Sequence, residues 1–238
     1  MSYLLSFLFL FWAAIISVVF FPIAVVIRII SAPFDRRLVL LNFFSHFWGA
    51  CYFWSMPFWS IKVTGRENFK PNTTYVIVSN HLSTMDVLAV SMLFVPFKWV
   101  SKVENFKIPF VGWTMYLNKY VAIKRGGLSS IKLMMRQSKA HLANGSSIFI
   151  FPEGSRSADG QLKPFKTGAF KLAKEMNVAV MPVVLRGTAQ AMPKHSLHFK
   201  GRHKIEIEVL APIESELLQQ LSLQQAASLA HEKILQAQ

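Results

Sequence analysis

From residue 61 onward the chain alternates short apolar runs with longer segments of helical spacing. Runs rich in Val, Ile and Phe cover residues 74–79, 97–101, 120–124, 147–151, 178–186 and 204–210, lengths that suit strands. Between them, residues 84–95, 105–118, 128–143 and 166–176 carry the pattern of helices with one buried face. Strands alternating with helices predict an α/β fold, a largely parallel or mixed sheet flanked by helices. At the end of the chain, Leu217, Leu218, Leu221, Leu223 and Ala227 predict one amphipathic helix over residues 215–236. No internal repeat and no low-complexity linker interrupts this order.

The first 60 residues follow a different rule. Residues 3–30 carry no charge before Arg28. At about 1.5 Å per residue such a helix exceeds the roughly 30 Å hydrocarbon core of a bilayer. The segment reads as a membrane helix with a possible bend at Pro22, not as a cleaved signal peptide, because it has no basic start and its apolar stretch is too long. A second apolar run, residues 38–60, is rich in Trp and Phe and interrupted by Asn42, His46 and Pro57, the character of an interfacial helix. His46 then reads as an interfacial polar residue. The positive-inside rule, applied to Arg28, Arg36 and Arg37, favours either one crossing followed by an interfacial helix or a shallow two-helix hairpin. Residues 1–60 are thus expected to anchor an α/β domain of residues 61–238 that faces the cytoplasm, in a bacterium at the inner membrane.

Composition agrees with an anchored protein. Hydrophobic residues make up 53% of the chain and charged residues 16%, with 21 Phe, so part of it is expected in lipid. The formal net charge of +14 calls for an anionic partner. A bilayer carrying anionic lipid fits best, and nucleic acid is set aside because no zinc-finger spacing or aromatic RNP run is present. The single Cys51 excludes an intrachain disulfide framework and any CxxC metal or redox site, and no metal or cofactor is expected.

Candidate chemistry begins at Asn80-His81-Leu82-Ser83-Thr84-Met85-Asp86, a polar knot between a predicted strand and a predicted helix. A carboxylate bonded to one imidazole nitrogen fixes the tautomer and leaves the other nitrogen to accept a proton. The bland reading is that Ser83-x-x-Asp86 is a helix-capping pattern. A second polar knot, Phe151-Pro152-Glu153-Gly154-Ser155-Arg156-Ser157, also follows an apolar strand, and ligands gather at strand carboxyl ends in open α/β sheets. Here the bland reading is a Pro-Gly turn with a surface ion pair.

NHLSTMD resembles the HxxxxD motif, and FPEGSRS the companion motif, of the glycerolipid acyltransferases, specifically the 1-acylglycerol-3-phosphate acyltransferases. Tyr120 to Arg125 resembles the family's third block, and Val180 to Leu185 its final apolar strand, so four motifs stand in family order over residues 75–187. The resemblance implies that His81 is the general base for the free glycerol hydroxyl, that Asp86 orients it, and that the hydroxyl attacks an acyl thioester directly. It points to Lys102, Arg125 and Arg156 for the acceptor phosphate, with Glu153, Gly154 and Ser155 completing the binding loop. Glu153 is expected to position Arg156 or the substrate, and backbone N–H groups near His81 or Gly154 to meet the oxyanion. Ser155 stands where the family often has Thr, and Lys124 where many members have Asp.

The implied reaction is acyl transfer from acyl-CoA or acyl carrier protein to the 2-hydroxyl of 1-acylglycerol 3-phosphate, forming phosphatidic acid in phospholipid biosynthesis. Lys124 keeps a different acceptor open, another lysophospholipid or a lyso-aminolipid. A rival of another class is a non-catalytic protein that holds anionic lipid on a basic face. Hydrolysis is disfavoured, since no GxSxG elbow supplies a nucleophile.

Overall fold

The structure, a computed structural model, describes residues 2–56, 58–124, 126–157, 161–192 and 201–238. Its first half runs α1 (Ser2–Ser31), α2 (Val39–Trp54), β1 (Trp59–Thr64), β2 (Tyr75–Ser79), α3 (Met85–Ser91), β3 (Phe97–Lys102), α4 (Val111–Leu117) and β4 (Val121–Ile123). There follow α5 (Leu128–Ala143), β5 (Ser147–Ile150), α6 (Gly168–Met176), β6 (Ala179–Arg186), α7 (Thr188–Ala191), β7 (His203–Val209), α8 (Ser215–Gln220) and α9 (Leu223–Gln236).

The strands form one mixed sheet in the order β1-β7-β6-β2-β5-β3-β4, flanked by helices as expected. Only the β6/β7 pairing is antiparallel among the described strands. Alternate residues of a strand face opposite ways, and both faces are covered. Tyr75, Ile77, Phe97, Phe149 and Met181 pack with Ala89 of α3, Leu93 just beyond that helix and Phe53 of α2. Val76, Val78, Ile148 and Val180 pack with Phe170 of α6, Leu218 of α8 and Ile234 of α9. The central strand β2 is buried along its whole length, which is why it reads as a continuous apolar run.

Three elements differ from the sequence reading. Strand β1 begins inside the aromatic run that reads as interfacial helix, and Trp59 to Thr64 pair with His203 to Glu208. The helix expected over 105–118 is divided into a 3-10 turn, Val103–Lys107, and α4. Pro109, which has no N–H, stands between the two pieces. The single C-terminal helix is two, because Ser222 caps α9: its hydroxyl accepts the N–H of Gln225, whose side chain accepts the N–H of Ser222.

Helix α1 passes through Pro22 without interruption. Over Ser6–Ser31 it is, among the described residues, the one helix long and apolar enough to cross a membrane, with a mean hydropathy of 2.7, and it is a candidate anchor. One stripe of it, including Phe9, Ala13, Ile16, Phe20, Ala24 and Ile27, packs against Leu41, Trp48 and Tyr52 of α2 and Leu88 of α3. Phe21 meets Phe110 and Trp113 at 5.8 and 5.3 Å between ring centroids. The opposite side, with Phe7, Phe11, Val18, Val26 and Ile29, is exposed.

Helix α2 is not a surface float but a packed element. Gly49 is required where α2 crosses α3, since a Cβ there would come 2.3 Å from Ser91 Oγ. His46 is buried with its ring edge-on to Phe97, not at an interface. Asn42 donates to the carbonyl of Phe97 at 2.8 Å and accepts its N–H at 3.0 Å, pinning α2 to the first residue of β3.

Next along β3, Lys98 is buried, and desolvation pushes its pKa down to about 7; nearby Lys119, Arg37 and Arg28 lower it further while Asp35 opposes them. The unfolded chain keeps this proton up to the ordinary lysine pKa of 10.5, so stability contributed here rises with pH between about 7 and 10.5 and is lost as pH falls through that window. Lys98→Met removes the buried charge and keeps an unbranched stem. The variant is expected to unfold at higher temperature than the parent at pH 7, with the gap narrowing towards pH 10. Thermal unfolding of both proteins in detergent checks this; a gap that stays constant or widens contradicts it.

Candidate active site

The carboxyl ends of β2 and β5 lie side by side because the two strands pair in register, Val78 opposite Ile150. The loops leaving them carry the two polar knots, and the knots lock together at His81. Its N–H donates to Glu153 Oε1 at 2.7 Å, and its carbonyl accepts the N–H of Ser157 at 2.9 Å. Its ring stacks on Phe151 with centroids 4.0 Å apart.

Asp86 completes the enclosure from the first turn of α3. Its Oδ2 lies 2.8 Å from His81 Nδ1 and accepts the N–H groups of Leu82 and Ser83 at 2.7 and 2.9 Å. The Asp86 side chain is fully buried, whereas that of His81 keeps 15% of its surface exposed. A carboxylate held by three donors cannot swing away, so the ring is fixed with Nδ1 as donor and Nε2 as the nitrogen left for chemistry. Asn80 supports the turn from below, pairing with both the N–H and the C=O of Leu185 at 2.8 Å. Ser83 acts through its hydroxyl, which donates to the carbonyl of Met192 and accepts the N–H of Met85.

The second loop is a cationic shelf. Gly154 adopts φ 71°, a left-handed turn that favours glycine, and Lys166 Nζ lies close enough that a Cβ there, at 2.9 Å, would push the lysine aside. Arg156 donates to the Thr84 hydroxyl at 2.7 Å, reaching back across to the His81 loop. Lys163 braces the shelf through Nζ, donating to the Arg156 carbonyl at 2.9 Å and lying 3.4 Å from Ser155 Oγ. Burial pushes the Glu153 carboxyl above the usual range, against the opposing pull of the His81 and Lys163 N–H groups.

The acyltransferase family model matches residues 60–186, more than half of the chain and both of these loops. The chain belongs to the acyltransferase family. It is 35% identical over 188 residues to a 1-acyl-sn-glycerol-3-phosphate acyltransferase of Chlamydomonas reinhardtii, covering 78% of this chain and 56% of that protein. To a chloroplastic enzyme of that description from Arabidopsis thaliana it is 35% identical over 195 residues, covering 79% and 54%. The human alpha form is 31% identical over 160 residues, covering 66% and 56%. The chain spans a little over half the length of these curated relatives. Among solved structures, the 1-acyl-sn-glycerophosphate (LPA) acyltransferase PlsC from Thermotoga maritima shares the fold, with a TM-score of 0.84 at 24% identity, over 99% of this chain and 94% of that one.

Within the family frame the structure brings together His81, Asp86, Glu153, Gly154, Ser155 and Arg156. Lys102 stands at the end of β3, half exposed and 3.3 Å from Glu104. Arg125 lies outside the described residues. Glu153 takes its hydrogen bonds from the main chain of His81 and Lys163 and so shapes the loop junction, whereas the sequence reading has it position Arg156 or the substrate. The N–H groups of His81, Leu82, Ser83 and Gly154 are taken by protein acceptors, which leaves other N–H groups of the two loops for an oxyanion. Phe151 and Lys163 go unremarked in sequence. Phe151 lies inside the quoted motif, but Lys163, in irregular chain beyond it, leaves no signal.

Glu153→Gln tests the junction. An amide has one acceptor oxygen where the carboxylate offers two, and the Lys163 bond, 3.2 Å against 2.7 Å, is the one expected to be released. Hydrogen exchange at Lys163 should accelerate by about tenfold or more, the size of one lost buried hydrogen bond. Unchanged exchange across residues 161–167 would show that the carboxylate does not hold this segment.

Proposed function

We propose that the chain is a membrane-bound acyltransferase that moves a fatty acyl group from an acyl thioester to the 2-hydroxyl of 1-acylglycerol 3-phosphate, producing phosphatidic acid. The observation that carries this reading is the His81–Asp86 pair at 2.8 Å, clasped by the second loop and presenting a single ring nitrogen. His81 Nε2 takes the proton of the 2-hydroxyl as its oxygen attacks the thioester carbonyl carbon. A carbon–oxygen bond forms and the carbon–sulfur bond breaks. The thiolate leaves and receives the proton from His81, giving the ester and a free thiol. Asp86 holds the tautomer and stabilises the imidazolium that forms between the two steps. The reaction so written uses no metal or organic cofactor.

Arg156, supported through Thr84 and Lys163, supplies the cation for the acceptor phosphate, with Lys102 and Arg125 as further candidates from the other strand ends. Lipid access is supported by the path of α1. Phe9 packs beside Met85, Met192 and Met56, and Met85 is the residue before Asp86. The apolar surface of the anchor therefore reaches the catalytic turn. Because α1 touches the folded unit from Phe9 to Ile27, a shallow hairpin of α1 and α2 suits it better than a free-standing crossing. Arg28, Arg36 and Arg37 then favour the cytoplasmic side, at the inner membrane of a bacterium, with anionic lipid beneath the basic surface.

Purified protein in detergent, assayed for thiol release, tests the reading. His81→Ala should lower the rate by about a hundredfold or more. Among acceptors, 1-acylglycerol 3-phosphate should be preferred over lysophospholipids that lack a terminal phosphate and over lyso-aminolipids. Full activity in the variant would favour the non-catalytic lipid-binding alternative, and preference for another acceptor would move the assignment within the family.

A further inference from the structure

The sheet face opposite His81 holds a cavity of about 740 Å³ between α5 and α6. Its floor is apolar, built from Val100, Ile123 and Ile150 of the strands and Met134 and Met135 of α5. Its walls are basic: Lys132, Arg136 and Lys139 on α5 face Lys166 and Lys171 across the opening. Among the described lining residues the one carboxylate is Glu175, already paired with Lys139 at 2.9 Å and near Lys171 at 4.0 Å. One end is closed by Phe151, Pro152 and Gly154, the same loop that carries the His81 stack. Lys166 is fixed there, its N–H on the Pro152 carbonyl at 3.0 Å.

Nothing in the acceptor chemistry uses this space. A single phosphomonoester needs one cluster of cations, and Arg156 serves it from the His81 side, through Thr84. The cavity's cations are spread instead: Lys132 and Lys139 are two helical turns apart, roughly 10 Å along the axis. Cations distributed along two walls over an apolar floor match an elongated ligand with several separated phosphates and an uncharged arm.

We propose that this cavity takes the coenzyme A portion of an acyl-CoA donor, its phosphates on the α5 and α6 cations and its pantetheine arm along the floor towards Phe151 and Gly154. The proposal rests on the acyl-transfer reading and selects coenzyme A over a carrier protein, whose prosthetic arm carries a single phosphodiester. A lipid surface is the competing occupant, because Ile131 and Leu133 of α5 are exposed beside the same cations.

The test uses the full chain in detergent. Titration calorimetry with free coenzyme A should show binding, weakened at least tenfold in Lys132→Glu/Arg136→Glu and retained in Arg136→Lys. In the transfer assay the double variant should raise KM for acyl-CoA at least tenfold and leave KM for the acceptor within about twofold. Turnover of an acyl-N-acetylcysteamine thioester, which has no phosphate, should not change. Absence of coenzyme A binding in the parent, or equal affinity in the double variant, overturns the proposal. So does a double variant that loses binding to anionic vesicles while keeping its coenzyme A affinity. Calorimetry separates the two readings: charge-dependent coenzyme A binding without acyl transfer sinks the activity and keeps the site, whereas transfer with charge-independent binding does the reverse.

Discussion

Two loops from neighbouring strands meet on the main chain of one residue, and the site depends on that meeting. His81 gives its N–H to Glu153 and takes one from Ser157, so its backbone is bonded to the β5 loop on both sides. One bond is main chain to main chain and the other ends on the buried Glu153 carboxylate, and together they fix the origin from which the imidazole extends. Asp86 and Phe151 then define the plane and tilt of the ring. A lone His–Asp pair on one loop would have a bond but no fixed direction. The register between β2 and β5 supplies the direction.

The sheet and most of its strands were legible in sequence because a strand buried on both faces leaves an uninterrupted apolar run, as β2 and β6 do. Strand β1 was not, since its alternating burial is short and lies directly after an aromatic helix, where helical and strand patterns overlap. The break between α8 and α9 was overlooked for a similar reason: leucine spacing continues across Ser222, and only the capping box marks the boundary. In the candidate site, His81 and Asp86 were legible because their chemistry lies in side-chain identity and spacing. What Glu153 does was not, because its partners are backbone groups, which every residue has. Lys163 shows the same limit, acting through a carbonyl and its own N–H.

Charge and apolar surface divide the molecule by function. Exposed apolar side chains gather on α1 and continue onto α4 through Val111 and Trp113, whereas the cations of α5 and α6 line the far side of the sheet. Between them the strand ends carry the two interlocked loops, one approached from each side: Phe9 reaches the His81 loop by way of Met85, and Lys166 reaches the β5 loop by way of Gly154. The proposed reaction, joining an oily acceptor to a charged donor, suits a residue placed at that border.

Asn42 gives the arrangement a mechanical meaning. By closing two hydrogen bonds on Phe97 it welds the second helix to the start of β3, and that strand lies beside β5, whose loop grips His81. No swivel separates anchor from sheet along this path. In the proposed membrane-bound form, the depth at which the helical hairpin settles in a bilayer would therefore set the height of the imidazole above the lipid, as a keel sets the waterline of a hull. Changes in membrane thickness or packing would raise or lower the whole unit together, and reach the chemistry without any part of the protein changing shape.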